Sequence, residues 1–222
     1  LAQHALGAAD DAGAELEARD SEGFTPLMYA SKHNSNPEVI SALTKSGAEL
    51  EARDSDGVTP LMRAAANNSN PEVITALLKA GAEIKARTEA GMTPLLFAAA
   101  GSSNPEVITV LLKAGAEIEA RTEEGYTPLM LAARINSNAE VISALVEAGA
   151  KIEARNVDGW TPLMFAAFSS NPEAISMLLK AGANPKAKSA GGLTALDLAK
   201  ENDKIYKTKA YWELNDAFHN KD

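Results

Sequence analysis

A Thr-Pro pair stands at Thr25, Thr59, Thr93, Thr127 and Thr161, each step being 34 residues, and a glycine keeps the same step at Gly23, Gly57, Gly91, Gly125 and Gly159. A sixth, altered copy, GLTALDLA, begins at Gly192 after a step of 33. A period of this length describes a supersecondary unit too small to bury its own apolar face. Such units become stable only by stacking on their neighbours, so the chain is read as a row of units rather than as one core.

The unit can be read from local chemistry. In TPLMRAAANN, Thr59 offers a hydroxyl to the free amides of a first helical turn, and Pro60 follows where a missing N–H costs nothing. A second start lies in NSNPEVI, with Asn70 as cap, Pro71 in the first turn and Glu72 facing the positive end of the helix dipole. The same seven residues occur from Asn34 to Ile40, and variants recur as SSNPEVI, NSNAEVI and SSNPEAI. Asn34 and its counterparts are expected to end the first helix in a left-handed conformation. Val73, Ile74, Leu77 and Leu78 give the second helix one apolar stripe, and Gly81 supplies its left-handed stop. Helices of about nine residues are marginal alone, so neighbouring units must hold them. The segment GAEIKARTEAGMTP joins one unit to the next, and its Glu-Ala-Gly signals a tight turn.

The ordered motifs DGVTPLMRAA and EVITALLKAGAEIKAR resemble the ankyrin-repeat family over nearly the whole chain. The resemblance implies an all-α ankyrin-repeat solenoid of antiparallel helix pairs with protruding β-hairpin-like turns. It divides the chain into a partial N-terminal capping repeat (1–19), five repeats (20–53, 54–87, 88–121, 122–155, 156–188) and a C-terminal capping repeat (189–222). Three departures from the family pattern stand out. The usual histidine after Thr-Pro-Leu is Met28, Met62, Leu96, Met130 and Met164, which exchanges a polar bridge for apolar packing. The first four repeats carry one extra residue between the helices, which is expected to enlarge the outer loops. In the last repeat Ala195 replaces proline, and Tyr211, Trp212 and Leu214 are expected to anchor a polar capping helix.

Composition bounds the function. Net charge is −9, with 13 Lys+Arg against 24 Asp+Glu in residues 1–179 and 8 against 6 in residues 180–222. A field of that sign repels a phosphate backbone, so no nucleic-acid partner is expected. No apolar run approaches the ~20 residues that cross a bilayer, and LAQHALGAADD lacks the order of a signal peptide. No membrane partner is expected, and the chain reads as a soluble monomer, cytoplasmic or exported with any signal segment already removed. The absence of cysteine excludes disulfides, thiolate zinc sites and cysteine nucleophiles. His4, His33 and His219 have no metal-ligand spacing, and no catalytic constellation or phosphate loop is present. The sequence therefore predicts a non-enzymatic chain with no cofactor and no metal. Glu15, Glu49, Glu83 and Glu117 read as a solvated ladder. Arg19, Arg53, Arg87, Arg121 and Arg155, continued by Lys188, read as ion pairs between turns.

Positions that vary within a fixed frame are the informative ones. Phe24, Val58, Met92, Tyr126 and Trp160 follow the turn glycine, and Tyr29, Arg63, Phe97, Leu131 and Phe165 lie five residues further on. With Phe168 these places hold seven of the eleven aromatic residues. The ankyrin resemblance implies that turn tips and first helices line a concave, partner-binding face. On that reading the rings supply affinity and the rim carboxylates Glu124 and Asp158 bias partner choice, which implies a protein partner with a basic rim around an apolar element. The structural alternative is that the rings only cover the adjacent repeat. Two other functional readings are an adaptor portion of a longer polypeptide with an enzymatic or effector domain, favoured by the half-repeat at Leu1–Asp11, and an inert, consensus-like or designed scaffold, favoured by the close identity of the copies.

Overall fold

The computed structural model describes residues 16–169 and 171–220. Most of the expected N-terminal partial repeat, 1–19, lies outside the described residues. Among those described, twelve helices and no strands form. They are α1 (Pro26–His33), α2 (Pro37–Lys45), α3 (Pro60–Asn67), α4 (Pro71–Ala80), α5 (Pro94–Gly101), α6 (Pro105–Lys113), α7 (Pro128–Ile135), α8 (Ala139–Glu147), α9 (Pro162–Phe168), α10 (Pro172–Lys180), α11 (Ala195–Lys200) and α12 (Lys209–Asn220). The expected all-α ankyrin-repeat architecture is thus present. The chain forms two compact units, one reaching Ala98 and including Glu106–Glu117, the other comprising Ala99–Pro105 and the chain from Ile118 onward.

In the first unit α1 packs on α3, α2 on α4, and each first helix on its own second helix. In the second unit α7, α9 and α11 form one row and α8, α10 and α12 the other. The starts are as the sequence dictates: Thr59 Oγ1 accepts the Met62 N–H, and Asn70 Oδ1 accepts the Glu72 N–H. The methionines that replace histidine are fully buried at Met28, Met62, Met130 and Met164, and the Thr59 N–H donates to the Met62 sulfur. Burying each such side chain contributes roughly 1.5–3 kcal/mol, which is why nine-residue helices persist here. Gly81 ends α4 in the left-handed region at φ 106°, as its position requires.

Four expectations are corrected. Asn34, Asn68 and Asn136 are extended, at φ −97°, −90° and −76°, not left-handed. Their side chains explain the repetition instead. Asn68 Nδ2 donates to the carbonyls of Ser31 and Asn34 one repeat earlier, while its Oδ1 accepts the Asn70 N–H. Asn136 does the same to Ala99 and Ser102. The extra residue of the early repeats lengthens the helix and not the loop: α3 has eight residues and α9 seven, while three residues separate each from its partner helix. The arginine ladder rests on backbone carbonyls more than on ion pairs. Arg53 Nη1 donates to the carbonyls of Gly57 (2.8 Å) and Arg87 (2.9 Å), and Arg19, Arg121 and Arg155 clip successive turns alike. A carbonyl is within reach of each of these arginines because the turn recurs, and Arg87 in addition lies 3.9 Å from a Glu117 carboxylate oxygen. In the capping repeat Tyr211 and Leu214 are buried with Ile205, but Trp212 is 52% exposed and meets the Tyr211 ring edge-on instead of entering the core.

The turns stand on a carboxylate ladder displaced by two residues from the expected one. Glu17, Glu51, Glu119 and Glu153 accept the N–H of Glu49, Glu83, Lys151 and Asn184. Lys85 breaks the series and instead pairs with Glu117 at 2.8 Å. Each turn closes by Gly57 N–H to Asp54 C=O and its equivalents, and neighbouring turns share one bond, such as Ser55 N–H to Glu22 C=O or Ala190 N–H to Asp158 C=O. One bond per step does not make a strand. At Gly159, φ is +74° and a Cβ would lie 2.9 Å from the Ala190 nitrogen, so only glycine fits.

Candidate functional site

The turn's first residue and the helix residue nine positions later form a linked pair in two of the turns. In the first unit the pairs are Asp20 with Tyr29 and Asp54 with Arg63. The Tyr29 hydroxyl donates to Asp20, and this bond holds the Asp20 carboxyl below its ordinary pKa and pushes the Tyr29 phenol up. Arg63 Nε and Nη2 both donate to Asp54 Oδ2, at 2.8 and 2.6 Å, where the Asp54 side chain is wholly buried. Asp56 lies 3.6 Å from the same guanidinium. Where the turn begins with Thr88, Thr122 or Asn156, the partner position is apolar: Phe97, Leu131 or Phe165. This exchange was visible in the sequence only if the two positions were read jointly.

The rings follow the same register. Phe24 packs on Tyr29 (5.2 Å between centroids), with Lys32 5.5 Å and Arg63 4.6 Å from its centre. In the second unit Tyr126 meets Phe165 at 5.0 Å, Arg134 sits 5.4 Å over the Tyr126 ring, and the Arg134 guanidinium donates to its hydroxyl. Trp160 contacts Phe165 at 5.1 Å and meets Phe168 edge-on at 5.4 Å. Tyr126, Arg134, Asn156, Asp158, Trp160, Phe165 and Phe168 line one groove of about 180 Å³.

The thirteen sequence candidates fall into three groups. Phe24, Val58, Leu131 and Phe165 are buried, at 4–6% exposure, and form floors rather than contacts. Val58 packs with Met62, Ala86 and the half-buried Phe97, and Phe24 with Met28, Ala52 and Tyr29. Tyr29, Arg63, Met92, Tyr126 and Trp160 are half-buried. Glu124 and Asp158 are exposed, and Phe168 is 56% exposed. Only Tyr126, Asp158, Trp160, Phe165 and Phe168 converge on the groove. Sequence reasoning missed Arg134 and Asn156 there, and Asp20 and Asp54 in the first unit. Among the described residues no three His, Asp or Glu side chains converge where a metal could sit, and no helix is long and apolar enough to cross a membrane.

Helix pairs repeated at this period, capped by Thr-Pro and joined by glycine turns, define a stacked-repeat protein. The family model for ankyrin repeats matches three times, over residues 2–88, 27–122 and 95–189. This chain belongs to the ankyrin-repeat family, whose repeats are generally protein–protein interaction modules and typically carry no enzymatic activity. Against curated proteins, no match is found.

Proposed function

We propose that the chain is a non-enzymatic protein-binding module. It engages a partner protein through the turn tips and first helices of residues 122–188, where Tyr126, Trp160 and Phe168 surround the groove, Asp158 rims it and Glu124 stands exposed on the neighbouring turn tip. The observation that carries this reading is the mixture of burial within one cluster. Phe165 is a closed floor, whereas Phe168 stays more than half exposed although it is among the largest apolar side chains of the chain. Aromatic side chains with one face packed and another open lose little conformational freedom on binding and dominate interface energy. The partner implied has an apolar element within a basic rim, because the carboxylates at the rim favour cations.

Selection of peptides from a displayed random library against the intact chain tests the proposal. Tyr126→Ala with Trp160→Ala should weaken the selected peptides by at least about tenfold, ~1.4 kcal/mol, with a thermal midpoint close to that of the parent. Selected peptides that bind the double variant unchanged would move the binding surface elsewhere.

A further inference from the structure

The first unit shows, in its own fold, how a guanidinium is held between a ring and turn carboxylates at positions equivalent to those around the groove in the second. Three steps of 34 residues carry Phe24 to Tyr126, Lys32 to Arg134, Asp54 to Asn156, Asp56 to Asp158 and Arg63 to Phe165. In the first unit the Arg63 guanidinium lies 4.6 Å from the centre of the Phe24 ring, is clamped by Asp54 and has Asp56 at 3.6 Å. In the second unit Phe165 takes the arginine's place and packs against Tyr126 and Trp160 with its ring tilted by 40° and 42°. The tip carboxylate remains, but the cation it would face does not. Asp158 is exposed, and its Oδ2 is met only by a long 3.4 Å bond from the neighbouring Asn156 amide. Around it the ring area is larger than in the first unit, with Trp160 and the exposed edge of Phe168 added.

We infer that the groove takes the guanidinium of an arginine side chain presented by the partner, stacked on Trp160 and paired with Asp158. This rests on the proposed binding role of the same cluster and names the chemistry it selects. Planarity favours arginine over lysine, since a guanidinium stacks on a ring while its edge donates to a carboxylate. Arg134 sets the boundary of the subsite. It covers Tyr126 and donates to its hydroxyl, so the incoming cation is directed to the Trp160 side, away from a like charge.

The test is a nuclear magnetic resonance titration of the intact chain carrying Trp212→Phe, which leaves the Trp160 indole as the single tryptophan reporter. The probes are N-acetylarginine methylamide, its neutral citrulline isostere and the norleucine equivalent, each up to about 50 mM, the range in which single side-chain contacts are felt. The arginine probe should shift the Trp160 indole N–H saturably and about fivefold more tightly than either neutral probe. Asp158→Asn should abolish that preference, and Arg134→Gln should retain or strengthen it. Equal response to norleucine would overturn the arginine assignment while leaving an apolar peptide site at Trp160. A Trp160 signal that responds to none of the three would overturn the assignment as well, and the peptide selection above then decides separately whether the rings bind anything. Undiminished preference in Asp158→Asn would also overturn it.

Discussion

At Asp54 a single oxygen, Oδ2, accepts two bonds from Arg63, while Oδ1 accepts the N–H groups of Asp56 and Val58. A carboxylate so enclosed needs its cation. Arg63→Leu should cost about 3 kcal/mol in chemical unfolding, because it strands a buried charge. The double change Asp54→Thr with Arg63→Leu reproduces the Thr122 and Leu131 pairing of the second unit, where Thr122 Oγ1 still accepts the Tyr126 N–H. It should return to within about 1 kcal/mol of the parent. A double variant no better than the single one would refute this account of the pair. Asp20 makes a gentler statement through pH. Its folded pKa is depressed, chiefly by the Tyr29 hydroxyl. The linked stability is therefore present above the ordinary aspartate value and is lost as pH falls through the lower folded value. Tyr29→Phe should remove part of that acid-side loss, leaving a flatter stability profile below the ordinary aspartate pKa. Glu51 has the opposite sign: burial raises its pKa, so it opposes folding at neutral pH, and protonation relieves that opposition.

Asparagine serves at the level of the helix pair as a staple between repeats. Asn136 ends α7, accepts the Asn138 N–H and donates to two carbonyls of the preceding repeat. Asn136→Ala should cost about 2–4 kcal/mol through unmet buried groups. Asn136→Asp should cost more at neutral pH, since it turns a carboxylate oxygen toward two carbonyl oxygens. Thermal unfolding that ranks aspartate as milder than alanine would rule out the staple. The helix starts were legible in the sequence because a Thr-Pro or Asn-Pro cap is settled within four residues. The staple was not, because its acceptors lie 34 and 37 positions away and come within reach only once repeats stack. The arginine clips were misread for the same reason: nearby glutamates in sequence suggested ion pairs, while the stack placed carbonyls closer. At the candidate site the aromatic positions were legible as variation within a fixed frame. Their burial was not, since Tyr126 and Phe165 differ in exposure only through what lies against each ring.

For the molecule as a whole, net charge and the aromatic groove make separable contributions to binding. The chain carries −9 overall, so a cationic partner is attracted over distances set by screening, while the rings act only on contact. Raising ionic strength from about 20 to about 500 mM shortens the screening length from roughly 20 Å to roughly 4 Å. Association of an arginine-containing peptide selected on the groove should then slow by about tenfold, with dissociation changing much less. Tyr126→Ala with Trp160→Ala should act the other way, speeding dissociation and leaving association and its salt dependence nearly intact. Surface-bound kinetics at the two salt concentrations measure all four rates. If salt alters dissociation as strongly as association, the ion pair at Asp158, and not the long-range field, carries the charge contribution. If the ring variant slows association instead, the aromatic residues guide encounter, and the division of labour between charge and rings is wrong.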